Sequence, residues 1–145
     1  AGLGMADAAA RYAAEIARVD EWIAAQFVSV PEKTRRIVTT HDAFGYYGAR
    51  YGIDFISAEG ISTDEEPSAK AMAALIGQIR REKVKAVFIE NMTDPRLIQM
   101  LSRETGVRVG GTVYSDALSP DDGPAGTYLA MLRHNTSLFV ESLRR

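Results

Sequence analysis

Cysteine is absent from the chain, and that absence removes disulfides, thiolate metal sites and cysteine nucleophiles together. Strong charge of either sign is also missing. The formal net charge is −2, so electrostatics offers no case for nucleic acid or an anionic membrane as a partner. No apolar run is long enough to cross a bilayer. The opening residues Ala1-Gly2-Leu3-Gly4-Met5 lack the basic start and apolar core of a signal peptide. Mature exported proteins lose that segment, so the compartment stays open. No G-x-G-x-x-G follows a strand, and there is no P-loop, no G-x-S-x-G elbow, no paired C-x-x-C and no H-E-x-x-H. Gly45 and Gly48 are too isolated for a phosphate cradle.

What is present fits one ordinary domain of 145 residues with 46% hydrophobic content, enough to bury a core. Tyr12, Ile16, Val19 and Ile23 recur at helical period, which predicts a helix over about Asp7 to Phe27, ended by Pro31. Strands and helices then alternate. The β-branched run Arg36–Thr40 reads as a strand. Asp42–Tyr51 reads as a short helix with Asp42 as its N-cap and Gly52 after its end. Asp54–Ser57 is a second strand, Ser62–Ser68 a polar loop and Ser68–Lys83 a helix. Ala86–Ile89 is a third strand. Asp94-Pro95 starts another helix that Gly106 closes. Val107–Val113 is a fourth strand, loosened by Gly110-Gly111. A loop over Tyr114–Gly126 leads to a final helix reaching Arg145. This rhythm predicts an α/β fold, a four-stranded parallel sheet flanked by helices.

In such sheets, ligands bind beyond the carboxyl ends of the strands. Thr40, His41 and Asp42 lie beyond strand one, Glu59 beyond strand two, and Glu90 and Asn91 beyond strand three. Ser115, Asp116, Asp121 and Asp122 follow strand four. One imidazole and several carboxylates thus gather at one edge, the ligand types left for zinc or manganese once thiolates are gone. Each has a plainer reading. A His-Asp pair at a helix start is as often a cap as a ligand. Glu90 alone suits capping of a neighbouring backbone, Asp116 a turn, and Asp121 and Asp122 a solvated loop. His134 suits packing within the last helix, and Tyr46 and Tyr47 suit core and rim.

The stretch Thr40-His41-Asp42-Ala43-Phe44-Gly45-Tyr46-Tyr47 resembles the third-ligand motif of the zinc- and manganese-specific solute-binding proteins of ABC importers. The resemblance continues in order through Gly60-Ile61-Ser62-Thr63 and Glu65-Glu66-Pro67-Ser68. It takes in Val87-Phe88-Ile89-Glu90-Asn91 with Asp94-Pro95, then Gly111-Thr112-Val113-Tyr114-Ser115-Asp116-Ala117-Leu118-Ser119. It closes on Gly123-Pro124, Tyr128 and Met131-Leu132-Arg133-His134-Asn135. From Arg36 to the end, the chain looks like the C-terminal lobe of that family.

The resemblance implies two α/β lobes joined by a long helix, with the metal between them and two ligands from each lobe. His41 falls on the third-ligand position and Asp116 on the fourth. Glu90 falls on an acidic position that supports the ligands without touching the metal. The first two ligands, both histidines, belong to an N-terminal lobe that no segment here matches. Residues 1–30 are then expected to be the end of the inter-lobe connector and residues 31–145 the metal-binding lobe. His41 is expected to open a helix, whose positive dipole end disfavours imidazolium and leaves the neutral, metal-binding form. Manganese-preferring members commonly carry glutamate at the place of His41, which favours zinc, with manganese the alternative. The implied role is non-enzymatic: capture of a divalent metal and delivery to an ABC permease, in the periplasm or another extracytoplasmic location, with a membrane tether allowed. Two other functions compete. A small metal-dependent hydrolase needs a third ligand and an open coordination position, and beyond Glu90 no general base offers itself. A surface adhesin needs a protein partner that none of these residues specifies.

Overall fold

The computed structural model describes residues 2–58 and 68–145. Helix α1 (Gly2–Phe27) leads through a 3-10 turn at Glu32–Thr34 into strand β1 (Arg36–Thr39). Then follow α2 (Gly45–Tyr51), β2 (Asp54–Ser57), α3 (Ala69–Arg81) and β3 (Ala86–Glu90). Helix α4 (Arg96–Thr105), β4 (Arg108–Val113) and α5 (Tyr128–Arg144) complete the order. The four strands are parallel in the order β2-β1-β3-β4. The chain therefore leaves β1 in one direction and resumes on its other side at β3. This topological switch point opens a crevice between the carboxyl ends of those two strands.

Both sheet faces are covered, as the alternation of strand side chains requires. Ile37, Ala86 and Phe88 face one core with Val19, Ile23 and Phe27 of α1 and Phe139, Val140 and Leu143 of α5. Val38 and Val87, one residue out of phase, face the other with Leu75 and Ile79 of α3 and Ile98 and Leu101 of α4. Phe139 stands between Phe88 and Phe55, with ring centroids 5.0 and 5.4 Å away. Tyr47 belongs to this core, its hydroxyl 2.6 Å from Thr136 Oγ1. Burial pushes the Tyr47 phenol well above its ordinary range. Tyr46 is left 98% exposed.

The apolar stripe of α1 is used unequally. Val19, Ile23 and Phe27 are buried, whereas residues 4–18 are all exposed, Tyr12 and Ile16 among them. The packed end is tied down from several sides. Arg35 donates to Phe27 O at 2.7 Å, Val30 O at 2.8 Å and Tyr51 O at 2.9 Å, so one guanidinium serves the carbonyls ending two helices. Arg50 bonds Asp20 Oδ1 at 2.9 Å and Tyr51 donates to the same oxygen at 2.7 Å. These two neighbours hold the Asp20 carboxyl down at about 2.

Three helix starts differ by two or more residues from the sequence reading. Helix α1 begins at Gly2. Helix α5 begins at Tyr128, where Thr127 Oγ1 accepts from Ala130 N at 3.1 Å. Helix α2 begins at Gly45, so Asp42 is not its cap; Phe44 holds that position without a side-chain bond. A tight turn intervenes, in which Ala43 N donates to His41 O at 3.0 Å, and it lets Phe44 reach the core. His41 therefore precedes α2 instead of opening it, and the helix-dipole argument for its charge state falls. Strand β4 carries a bulge. Val87 pairs with Val109 but Ile89 with Thr112, so two steps on β3 meet three on β4. Gly111, at φ +132, absorbs the extra residue, and Gly110 admits both α5 and the Phe88 ring, since a Cβ there would lie 2.5 Å from Ser142 Oγ of α5 and 2.4 Å from Phe88 Cζ.

Candidate metal half-site

The bulge re-phases β4 so that Val113 pairs with Glu90. The chain then leaves the sheet beside the ends of β3 and β1. His41, just past β1, sits between two carboxylates. Its Nε2 lies 3.0 Å from Asp116 Oδ2 and its Nδ1 2.9 Å from Glu90 Oε1. Its backbone N–H donates to Glu90 Oε2 at 2.7 Å. The three side chains differ sharply in exposure, at 15% for His41, 0% for Glu90 and 70% for Asp116. Glu90 is thus the buried support behind the ring, and Asp116 faces the open crevice.

A carboxylate this buried needs partners. Glu90 takes them from His41, while its own carbonyl accepts Thr93 Oγ1 at 2.6 Å. The Nδ1 contact is close but out of line for a straight hydrogen bond, so among the described residues Glu90 Oε1 is a buried oxygen without a bonded partner. Thr40 Oγ1 and Ser115 Oγ are two more. All three stand at the carboxyl ends of β1, β3 and β4, next to the proposed ligands. Buried polar atoms are seldom left unmade, and their concentration at this edge marks it as polar by construction.

Two asparagines complete the frame. Asn91 accepts Ser115 N–H on Oδ1 at 2.9 Å and donates from Nδ2 to Ala117 O at 2.9 Å. Asn135 of α5 accepts Tyr114 N–H at 3.0 Å and donates to Tyr114 O at 2.8 Å. Asn91 was placed at this edge by the sequence, and Asn135 was not singled out. Its signals were membership of the run Met131–Asn135 that carries the resemblance and an amide side chain, of middling helix propensity, in mid-helix opposite a strand exit.

The other candidates do not join the pair. Asp42, Asp121 and Asp122 are exposed. His134 reaches Thr112 O at 3.0 Å and lies edge-on to Tyr114, which is packing. Glu59 lies outside the described residues, as do Gly60-Ile61-Ser62-Thr63, the loop before Ser68 and Glu65-Glu66-Pro67. Among the described residues, no three histidine, aspartate or glutamate side chains form a group able to hold a metal ion. His41 and Asp116 offer two donors towards the crevice, and Glu90 is engaged behind them.

The parallel α/β fold thus brings one imidazole and one exposed carboxylate together at its switch point. The chain belongs to the ZnuA family, described as "Zinc-uptake complex component A periplasmic", which it matches over residues 5–142. It is 33% identical over 141 residues to the manganese-binding lipoprotein MntA of Bacillus subtilis (strain 168), covering 94% of this chain and 46% of that protein. It is 33% identical over 139 residues to the zinc-binding protein TroA of Treponema pallidum (strain Nichols), covering 92% and 45%. The solved structure of the periplasmic zinc-binding protein TroA from Treponema pallidum superposes with a TM-score of 0.86 at 32% identity, covering 93% of this chain and 50% of that one. A manganese-bound periplasmic metal-binding protein from candidatus liberibacter asiaticus superposes with a TM-score of 0.82 at 28% identity, with 93% and 50% covered. The chain therefore spans about half the length of the relatives it matches.

Proposed function

We propose that this chain is the C-terminal lobe of an extracytoplasmic solute-binding protein that captures a divalent transition metal, zinc in preference to manganese, for an ABC importer. The observation that carries the reading is the 3.0 Å approach of His41 Nε2 to Asp116 Oδ2 at the switch point, with Glu90 behind the ring. Zinc binds imidazole and carboxylate at roughly 2.0–2.2 Å in a tetrahedron, which sets neighbouring donors about 3.3 Å apart. The pair needs to open by only about 0.3 Å to become one edge of that tetrahedron. The cation would take the place of the direct hydrogen bond between the two groups.

The relatives' names point the same way, since one binds manganese and one zinc. An imidazole nitrogen ranks zinc above manganese, so His41 favours zinc. The exposed half of α1, residues 4–18, fits the connector, and its apolar stripe (Tyr12 and Ile16) fits contact with a second lobe. In that reading residues 1–30 end the connector and residues 31–145 form the lobe, although Val19, Ile23 and Phe27 share the lobe's core. The second lobe supplies two further ligands, and the permease receives the metal. Catalysis has no part in this role.

Two protein ligands leave half of zinc's coordination sphere to water, so the chain alone binds weakly. Zinc and manganese titrations against a competing chelator test this. The expected result is affinity orders of magnitude short of the nanomolar level, lost in His41→Ala and lowered further in Asp116→Ala. Nanomolar binding by a monomer that survives His41→Ala would place the site elsewhere.

A further inference from the structure

The end of β3 contributes two adjacent side chains, Glu90 and Asn91, and they point to opposite neighbours. Glu90 engages His41 beyond β1. Asn91 engages the segment beyond β4 on both sides of Asp116. Its Oδ1 takes the N–H of Ser115, its Nδ2 gives to the carbonyl of Ala117, and its own backbone N–H donates to Val113 O at 2.9 Å. Asp116 is thus the one residue bridged over by the carboxamide. Beyond Val113 the sheet supplies no further ladder bonds, and a 70% exposed aspartate on an exposed loop would otherwise sample many positions. An amide side chain presents one donor and one acceptor in the spacing of a peptide group, so it can replace the missing strand there.

We infer that Asn91 is a positioning residue for metal capture, fixing the Asp116 carboxylate at His41 by clasping the main chain on either side of it. The assignment rests on the metal-capture reading, and it adds that one dipeptide on the central strand sets both donors, each from its own side. One residue upstream of Ser115, Tyr114 is locked in the same two-bond fashion by Asn135 of α5, so the path from β4 to Asp116 is held at consecutive points. A Ser115 amide tied to a side chain, and not to a strand, is an observable consequence whether or not metal is present.

The test uses the 145-residue chain and zinc, followed through the NMR signals of the His41 ring. Asn91→Ala is expected to weaken zinc binding by about 10–100-fold, the range for removing a group that orients a ligand. In an Asp116→Ala background the same change is expected to leave the residual affinity unaltered, because Asn91 acts only through Asp116. A general loss of structure would lower affinity in both backgrounds. Independently of zinc, Ser115 amide hydrogen exchange is expected to accelerate at least about tenfold in Asn91→Ala, as a protecting bond opens. It should stay slow in Asn91→Asp, which keeps the acceptor. Equal weakening with and without Asp116, unaltered zinc affinity, or unaltered Ser115 exchange overturns the assignment. Zinc that leaves the His41 signals unmoved in the unsubstituted chain refutes the metal-capture reading instead, and the exchange data then decide the clasp alone.

Discussion

Replacing Glu90 by glutamine separates the chemistry of this edge from its packing. Glutamine keeps the volume of a side chain that is fully buried, so no cavity term arises. The bond from His41 N–H to Glu90 Oε2, 2.7 Å long, changes from charge-assisted to neutral. Such bonds contribute about 1.5–3 and 0.5–1.5 kcal/mol respectively, a loss of about 1 kcal/mol. Relief of a buried charge works in the other direction, but this carboxylate is held by a backbone donor and a facing imidazole, so the loss is expected to win. The larger effect is on metal capture. Glutamine removes the negative charge beside His41 Nδ1, 2.9 Å away in the parent, and with it the carboxylate that supports the ring as a ligand. The expected outcome is a folded protein, a urea midpoint lower by roughly 0.3–1 M, and zinc affinity down about 10–100-fold. Glu90→Ala is expected to cost more, about 2–4 kcal/mol, because it adds a cavity and strands the His41 N–H. A glutamine variant that is more stable than the parent and binds zinc equally well would refute the reasoning.

Gly110→Ala would set a methyl 2.4 Å from Phe88 Cζ and 2.5 Å from Ser142 Oγ, and the overpacking should lower unfolding free energy by about 1–3 kcal/mol in urea melts. Arg35→Lys keeps the charge but not the fork that reaches Phe27 O, Val30 O and Tyr51 O. It should destabilise by about 2–3 kcal/mol, with the earliest loss of hydrogen-exchange protection at the end of α1. Asp20, held at about 2 by Arg50 and Tyr51, has a folded pKa below its unfolded value. Its contribution is therefore complete above the unfolded value of roughly 4 and is lost as pH falls through about 2. Asp20→Asn should flatten that acid limb in pH-dependent melts and leave the neutral-to-alkaline limb in place.

The parallel fold was legible because the signals were local and redundant. Strands such as Ala86–Glu90 are short apolar runs, and helices such as α3 show their buried face through Leu75 and Ile79. The meeting of His41 and Asp116 was legible through topology, since both follow strand ends. Other features depend on tertiary context. Asp42 has the chemistry of a cap, but burial of Phe44 and the turn at His41 move the helix start to Gly45. Tyr12 and Ile16 carry the same periodicity as Val19 and Ile23, and nothing local distinguishes the exposed half of α1 from the packed half. The roles of Asn91 and Asn135 rest on bonds across 24 and 21 residues, which no window of sequence displays. The sheet bulge was hinted at by Gly110-Gly111, but its effect on the exit of Asp116 needed the register with β3.

Locating the ion tests the central claim most directly. Crystals of the chain grown with zinc, read by anomalous diffraction at the zinc edge, are predicted to show the metal about 2.0–2.2 Å from both His41 Nε2 and an Asp116 carboxylate oxygen. Water should fill the remaining positions, and Glu90 should stay behind the ring without touching the ion. Zinc bound away from His41 and Asp116, or held directly by Glu90 within about 2.2 Å, would contradict the account.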